Sequence, residues 1–258
     1  MLKGQSAIIT GGSRGLGFAT ARLFVEMGAR VLLIARNQDE LKNAREQLNS
    51  PLQVRTLVGD VSCPDTAKTA VEMIAGEWQG PDILVNNAGV GTAASLLDTD
   101  PELWDEMMRV NARGTYLMCR QVAVSMIAGR IPGRIVNVSS VAGSIGSAMA
   151  SAYSASKAAV LGFSRAVARE LAPYGINVNC VCPGMIETGS FHNQADDYLS
   201  RKLGIKKEQL KEMTLQVIPQ QRFLEPEEVA RLIAFLASAD ARGITGQSYT
   251  ISCGYDIH

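Results

Sequence analysis

The sequence predicts an α/β fold in which a parallel sheet is covered by helices. Two observations carry this. Short β-branched or apolar runs alternate with longer amphipathic stretches along the whole chain. The runs are continuously apolar rather than alternating, which is the pattern of strands buried on both faces. The chain has 258 residues, 47% of them apolar and 19% charged, so there is material for one large core. No repeat or low-complexity linker interrupts it, so residues 1–258 are expected to form a single domain.

Taken in order, Ala7–Thr10 reads as the first strand and runs into a glycine-rich turn, followed by a helical window over Leu16–Met27. The apolar run Arg30–Ala35 is the second strand, and Gln38–Leu48 its helix. Val54–Val58 and Ile83–Asn86 are strands on either side of the helical window Asp65–Trp78. Pro101–Met126 reads as one long helix leading to the strand Arg134–Val138, and Ala152–Leu171 leads to the strand Ile176–Val181. Glu227–Ser238 is the last helix and Gln247–Ile251 the seventh strand. One segment breaks the rhythm. Between Thr188 and Gln221 the chain turns polar around a short helical pattern ending at Met213, with Asp196–Asp197, Arg201–Lys202 and Lys206–Lys207. A long insertion beyond a strand's C-terminal end faces the ligand in a parallel sheet, so residues 188–221 are expected to form a mobile substrate lid; a solvated surface excursion is the alternative.

Charge and composition exclude several classes. Lys and Arg balance Asp and Glu at 25 each, whereas nucleic acid or an anionic membrane wants a basic face; neither is expected as a partner. No apolar run reaches the length of a membrane span, and no secretory pattern opens the chain. The five cysteines, Cys63, Cys119, Cys180, Cys182 and Cys253, are scattered, without metal-type Cys/His spacing. A reducing, cytoplasmic setting without a metal is expected, with Cys180 and Cys182 as small buried residues on one side of a strand.

The chemistry begins at Thr10-Gly11-Gly12-Ser13-Arg14-Gly15-Leu16-Gly17, between the first strand and the first helix. Glycines make the turn tight and let the backbone approach a pyrophosphate, while the helix start offers free N–H groups. The second strand ends Leu33-Ile34-Ala35-Arg36, with no carboxylate for an adenosine ribose. Arg14 and Arg36 instead present two guanidinium groups, and Ser13 a hydroxyl, where a 2′-phosphate would lie; NADP(H) is expected in preference to NAD(H). Gly11 to Gly15 also matches a Gly-x-Ser-x-Gly nucleophile elbow. A hydrolase would need a base, and the chain offers only His192 and His258, in the lid and at the last position.

Further motifs follow: Asn86-Asn87-Ala88-Gly89 after the fourth strand, Asn111 in a helix, Ser140 after the fifth strand, Tyr153-Ser-Ala-Ser-Lys157, and Pro183-Gly184. In this order and spacing the sequence resembles the short-chain dehydrogenase/reductase family over essentially its whole length. The resemblance implies a Rossmann-like, doubly wound, seven-stranded sheet and a catalytic set of Asn111, Ser140, Tyr153 and Lys157. Tyr153 and Lys157 are four apart and share a helix face. An ammonium about 4 Å from the phenol at an effective dielectric near 20 is worth about 4 kcal/mol, enough to bring its pKa from 10 toward 7. Tyr153 would then exchange a proton with a carbonyl or alcohol oxygen as hydride moves. Ser140 would hold that oxygen, with Ser139 its rival. By resemblance, Lys157 also binds the nicotinamide ribose and Asn111 supports a water relay to it.

Other roles are implied by position. Asp60 and Val61 would bracket the adenine, and Asn87, Ala88 and Gly89 would run beneath the adenosine. Pro183, Gly184, Ile186 and Thr188 would hold the carboxamide. Small residues Ala155, Ala158, Ala159 and Gly162 on the Tyr153 helix suit close helix packing, and the resemblance implies a homotetramer, or a homodimer. The activity expected is that of a ketoreductase on a β-ketoacyl chain or small ketone, taking a small-molecule carbonyl or alcohol substrate. A diol or sugar-alcohol dehydrogenase, an epimerase and an NADP(H)-binding regulator are the alternatives. Pocket residues near Gly91–Ala94, Ala142–Met149, Met185 and the lid are mostly small or apolar and suit an uncharged substrate. The C-terminal Ile251-Ser-Cys-Gly-Tyr-Asp-Ile-His258 departs from the family's usual ending and leaves the local turn open.

Overall fold

The computed structural model describes residues 2–187 and 189–256, with the backbone alone over 189–194. Seven strands among these residues form one parallel sheet: β1 (Ser6–Thr10), β2 (Arg30–Ala35), β3 (Val54–Val58), β4 (Ile83–Asn86), β5 (Arg134–Val138), β6 (Asn177–Pro183) and β7 (Ser248–Ile251). Their spatial order is β3-β2-β1-β4-β5-β6-β7, so the winding reverses between β1 and β4. Carboxyl ends of strands diverge at such a reversal and leave a crevice above it.

Both faces of the sheet are covered, which is why its central strands β1, β2 and β4 are almost wholly apolar. Ile9, Val31, Leu33 and Val85 face α1 (Gly15–Glu26), α2 (Gln38–Leu48) and the late helix Pro226–Ala237. Ile8, Leu32, Ile34 and Leu84 face α3 (Pro64–Trp78) and the helices of residues 114–128 and 151–171. Adjacent residues of one strand thus serve opposite cores, and every one of these eight is fully buried. Burying a Leu or Ile side chain contributes about 1.5–3 kcal/mol, so the doubled core outweighs any local preference.

The long helix expected over 101–126 is interrupted. It runs as α4 (Pro101–Met107), a π-turn over Met108–Arg113, and α5 (Gly114–Ala128). Asp100 caps its start by accepting the Leu103 N–H at 2.7 Å. The extra residue of a π-turn shifts the facing of all that precedes it, and Asn111 sits inside it. A five-residue α6 (Val141–Ile145) follows β5, capped by Ser140 Oγ on the Ala142 N–H at 3.2 Å, and α7 (Ser151–Leu171) carries the tyrosine and lysine. The polar insertion forms two helices, α8 (Gly189–Leu203) and α9 (Lys207–Val217), longer than the single short pattern predicted; α10 (Pro226–Ala237) then packs beside α1.

No helix among the described residues is long and apolar enough to cross a membrane. Cys180 and Cys182 are buried on β6 as the alternation predicts, and Cys63 is exposed.

Candidate active site

At the sheet reversal, β1 and β4 are tied together by one hydroxyl. Thr10 Oγ1 accepts the N–H groups of Asn87 and Ala88, each at 3.0 Å. The Asn87 carboxamide donates back to the carbonyls of Thr10 and Gly11, at 3.0 and 3.2 Å. Gly11 has φ +65°, and a Cβ on Gly17 would lie 2.1 Å from the Gly11 carbonyl oxygen, so the turn closes only with glycine at both positions. Asn87 therefore shapes the glycine loop as well as passing beneath the crevice.

A cleft of about 1360 Å³ runs from this loop to α7. Gly11, Ser13, Arg14, Gly15, Leu16, Arg36, Asp60, Val61, Asn87, Ala88 and Gly89 line it at one end, with Ser140, Tyr153, Lys157, Pro183, Gly184 and Ile186 at the other. Two residues expected at the site, Gly17 and Asn111, lie behind its wall, and Thr188 lies outside the described residues, as do the His192 side chain and His258.

Asp60 closes the end of the cleft that carries Arg14 and Arg36. Burial raises its carboxyl, but hydrogen bonds from Ser62 and Arg109 outweigh that and hold it below the ordinary value. Ser62 N and Oγ donate at 2.9 and 2.8 Å and Arg109 Nη1 at 3.1 Å. Beyond β6, Gly184 N donates to the Ile251 carbonyl and Leu224 N to that of Met185, both at 2.8 Å, which fixes the Pro183–Ile186 segment along the floor.

At the reactive end the two serine candidates separate. Ser139 Oγ is turned away onto the Lys157 carbonyl at 2.9 Å, while Ser140 is hydrogen-bonded to the Tyr153 hydroxyl. Asn111 is held by both ends of its carboxamide: Oδ1 accepts the Val90 N–H at 2.8 Å, and Nδ2 donates to the Val90 carbonyl at 2.8 Å and to Ser156 Oγ at 2.9 Å. Ser156 in turn donates to the Tyr153 carbonyl at 2.7 Å, linking the π-turn to the first turns of α7.

The electrostatics differ from the expectation that Lys157 lowers the Tyr153 phenol toward 7. Burial instead raises the phenol above its ordinary value, against the hydrogen bond with Ser140. Lys157 Nζ reaches down to the Val138 carbonyl at 2.9 Å and lies 5.8 Å from the Tyr153 ring centroid. Burial lowers the lysine to about 8, with Cys182 and Cys180 beneath it acting the other way. The i, i+4 spacing does put both side chains on one face, but the ammonium directs one N–H to the end of β5. As it stands the site presents a neutral phenol hydrogen-bonded to Ser140.

Sequence reasoning missed two groups, Glu40 and Tyr255. Glu40, in the first turn of α2, accepts from Ser13 Oγ at 3.0 Å and pairs with Arg14 Nη1 at 3.2 Å, where only cations and a hydroxyl were expected. Tyr255 reaches the cleft from the C-terminal tail, whose turn is set by Asp256 N on Ser252 Oγ at 3.1 Å and Gln220 N on the Cys253 carbonyl at 3.2 Å. The insertion supplies Ala195, Leu199, Leu210 and Thr214 together with the charged Lys207, Glu208 and Lys211, so the cleft is less uniformly apolar than its small residues suggest. Its α8 is clasped to the loop after β4: Tyr198 Oη and Lys202 Nζ both donate to Asp98 Oδ2, at 2.5 and 2.7 Å. The Lys202 and Tyr198 bonds hold the Asp98 carboxyl well below the usual carboxylate range.

Fold and cleft together define an oxidoreductase of the dinucleotide-binding α/β class. A family model described as enoyl-(acyl carrier protein) reductase matches residues 11–256. The chain is 39% identical over 259 residues to a 3-oxoacyl-[acyl-carrier-protein] reductase of Thermotoga maritima, covering 99% of both. It is 35% identical over 256 residues to the enzyme of the same name from Chlamydia trachomatis, covering 98% of both. A crystal structure of a short chain dehydrogenase from Bacillus anthracis superposes with a TM-score of 0.91 at 29% identity, over 100% of this chain and 99% of that one. The chain belongs to the short-chain dehydrogenase/reductase family and is an oxidoreductase acting on the carbonyl/CH–OH couple.

Proposed function

We propose that the protein is an NADP(H)-dependent ketoreductase that reduces a 3-oxoacyl chain, with Tyr153 as the proton donor. The observation that carries this is the hydrogen-bonded pair of Ser140 and Tyr153, a neutral phenol at the wall of the cleft beside a second hydroxyl. Two hydroxyls converging on one point suit a carbonyl oxygen that gains negative charge as it is reduced. Ser140 holds that oxygen and Tyr153 transfers its proton to it. The relatives that share nearly the full length are named for 3-oxoacyl reduction, which favours this substrate class over diols and sugar alcohols.

The cleft fits a dinucleotide. Its volume of about 1360 Å³ extends from Arg36 to Tyr153, and α1 begins beside it with no acidic residue in its first turn. The nicotinamide, when bound, supplies the hydride. Gly11–Gly17 would cradle the pyrophosphate, Asp60 and Val61 the adenine, and Ser13, Arg14 and Arg36 the 2′-phosphate. Pro183, Gly184, Ile186 and Thr188 would face the carboxamide. Lys157, with one N–H on Val138, keeps two donors for the ribose hydroxyls. Asn111 braces Val90 and Ser156 around that lysine. Residues 188–221 act as the lid of a single domain working in the cytoplasm, and the small residues Ala155, Ala158, Ala159 and Gly162 of α7 suit a homotetramer.

Oxidation of NADPH and of NADH is to be followed with 3-oxoacyl thioesters, diketones and ketoses. The reading predicts turnover with NADPH and the 3-oxoacyl thioesters foremost. Turnover confined to ketoses or diols would overturn the substrate class, and binding of NADPH without turnover of any carbonyl would favour a regulator.

A further inference from the structure

Helix α2 starts with an arrangement that its own backbone does not require. Asn37 is the cap, and its Oδ1 accepts the N–H groups of Asp39 and Glu40 at 2.9 and 3.1 Å. Glu40 stands three residues after the cap, where a glutamate ordinarily turns back to the cap's own N–H. Here it reaches across to the glycine loop and divides its carboxylate between two partners, Oε2 for Ser13 Oγ and Oε1 for Arg14 Nη1. Arg14, Arg36, Asn37 and Glu40 all line the same end of the cleft, with Arg14 and Arg36 exposed and Glu40 half-buried.

We propose that Glu40 is a specificity-determining residue that competes with the cofactor's 2′-phosphate for Ser13 and Arg14. This rests on the NADP(H) reading above. A phosphate monoester wants the same hydroxyl and guanidinium donors that the carboxylate now occupies. Two anions cannot share them without repulsion, so the phosphate displaces Glu40 from its partners. A cofactor with a free 2′-hydroxyl makes no such demand; it can donate to the carboxylate where it stands. Glu40 therefore narrows the margin by which Arg14 and Arg36 favour NADP(H). The other acid of this turn, Asp39, is exposed and does not line the cleft, so the effect belongs to Glu40.

The test is equilibrium binding of NADPH and NADH, followed by nicotinamide fluorescence, to the wild type, Glu40→Gln and Arg36→Ala. A glutamine keeps the size and one acceptor but loses the charge. We expect Glu40→Gln to tighten NADPH about tenfold and to leave NADH within twofold, the gain shrinking as salt is raised. Adding 2′,5′-ADP and 5′-ADP as competitors isolates the same difference at the adenosine end. An unchanged NADPH-to-NADH ratio in Glu40→Gln, or weaker NADPH binding, would overturn the proposal and make Glu40 a brace for Arg14. Failure of the underlying reading looks different: the wild type would prefer NADH and Arg36→Ala would leave NADPH binding unaltered.

Discussion

Lys157 Nζ donates to the carbonyl of Val138 at 2.9 Å, so the lysine of the tyrosine helix is anchored on the last residue of β5. The ammonium is buried and its pKa falls to about 8, below the ordinary lysine value near 10.5. A lysine whose folded pKa is lowered takes up its proton in the unfolded chain first. Between pH 8 and 10.5 the unfolded state thus binds more protons, and the lysine's penalty on folding fades as pH rises through that window.

Replacing Lys157 with Met removes this dependence. The stability of Lys157→Met relative to wild type is predicted to shift by roughly 3 kcal/mol in favour of wild type from pH 8 to pH 10.5. Urea unfolding of both proteins across that range cancels the opposing effect of the buried Cys119 thiol, raised to about 12 by burial with no contribution from Lys157. A difference that stays flat with pH would show that the lysine is not desolvated.

The glycine loop makes a steric prediction. A methyl on Gly17 would lie 2.1 Å from the Gly11 carbonyl oxygen and 2.6 Å from the Asn87 Nδ2, which leaves it nowhere to go. Gly17→Ala is expected to cost about 1–3 kcal/mol of stability and to weaken NADPH binding more than tenfold by opening the turn. Thermal unfolding and a binding titration on the same sample check both.

Asp98 tests the proposed lid. Its carboxylate gathers Tyr198, Lys202 and Ser95, yet the group is exposed, so its loss should hardly alter global stability. Asp98→Asn is predicted to raise KM for the carbonyl substrate several-fold while NADPH affinity stays the same, because α8 borders the substrate end of the cleft. Equal weakening of substrate and cofactor would argue that the clasp shapes the whole site. Limited proteolysis within residues 188–221 should quicken in this variant.

The positions of all seven strands were legible from the sequence because the central ones are buried on both faces and rich in apolar residues, and the outer ones, β3 and β7, stand at the same spacing between helical windows. The glycine loop was legible as a spacing between the first strand and the first helix, while Ser140, Tyr153 and Lys157 were singled out through the order of motifs by which the sequence resembles its family. What the sequence concealed lay in other kinds of information. A π-turn at Met108–Arg113 adds one residue to a helix whose periodicity otherwise continues, so Pro101–Met126 reads as unbroken. Five residues, Val141–Ile145, are too few to show a period. The contact of Glu40 with Ser13 and Arg14 spans 27 and 26 positions and depends on how α2 docks beside the loop. The direction of the Tyr153 shift depends on burial, which spacing does not report.

The account turns on Tyr153 as the proton donor. The decisive measurement is single-turnover oxidation of bound NADPH by a 3-oxoacyl thioester in wild type and Tyr153→Phe, with the NADPH dissociation constant determined for each. The prediction is a loss of about 10²–10⁴-fold in the rate, with NADPH affinity within twofold. A Tyr153→Phe enzyme that turns over at near the wild-type rate would contradict the account and move the proton donor elsewhere in the cleft.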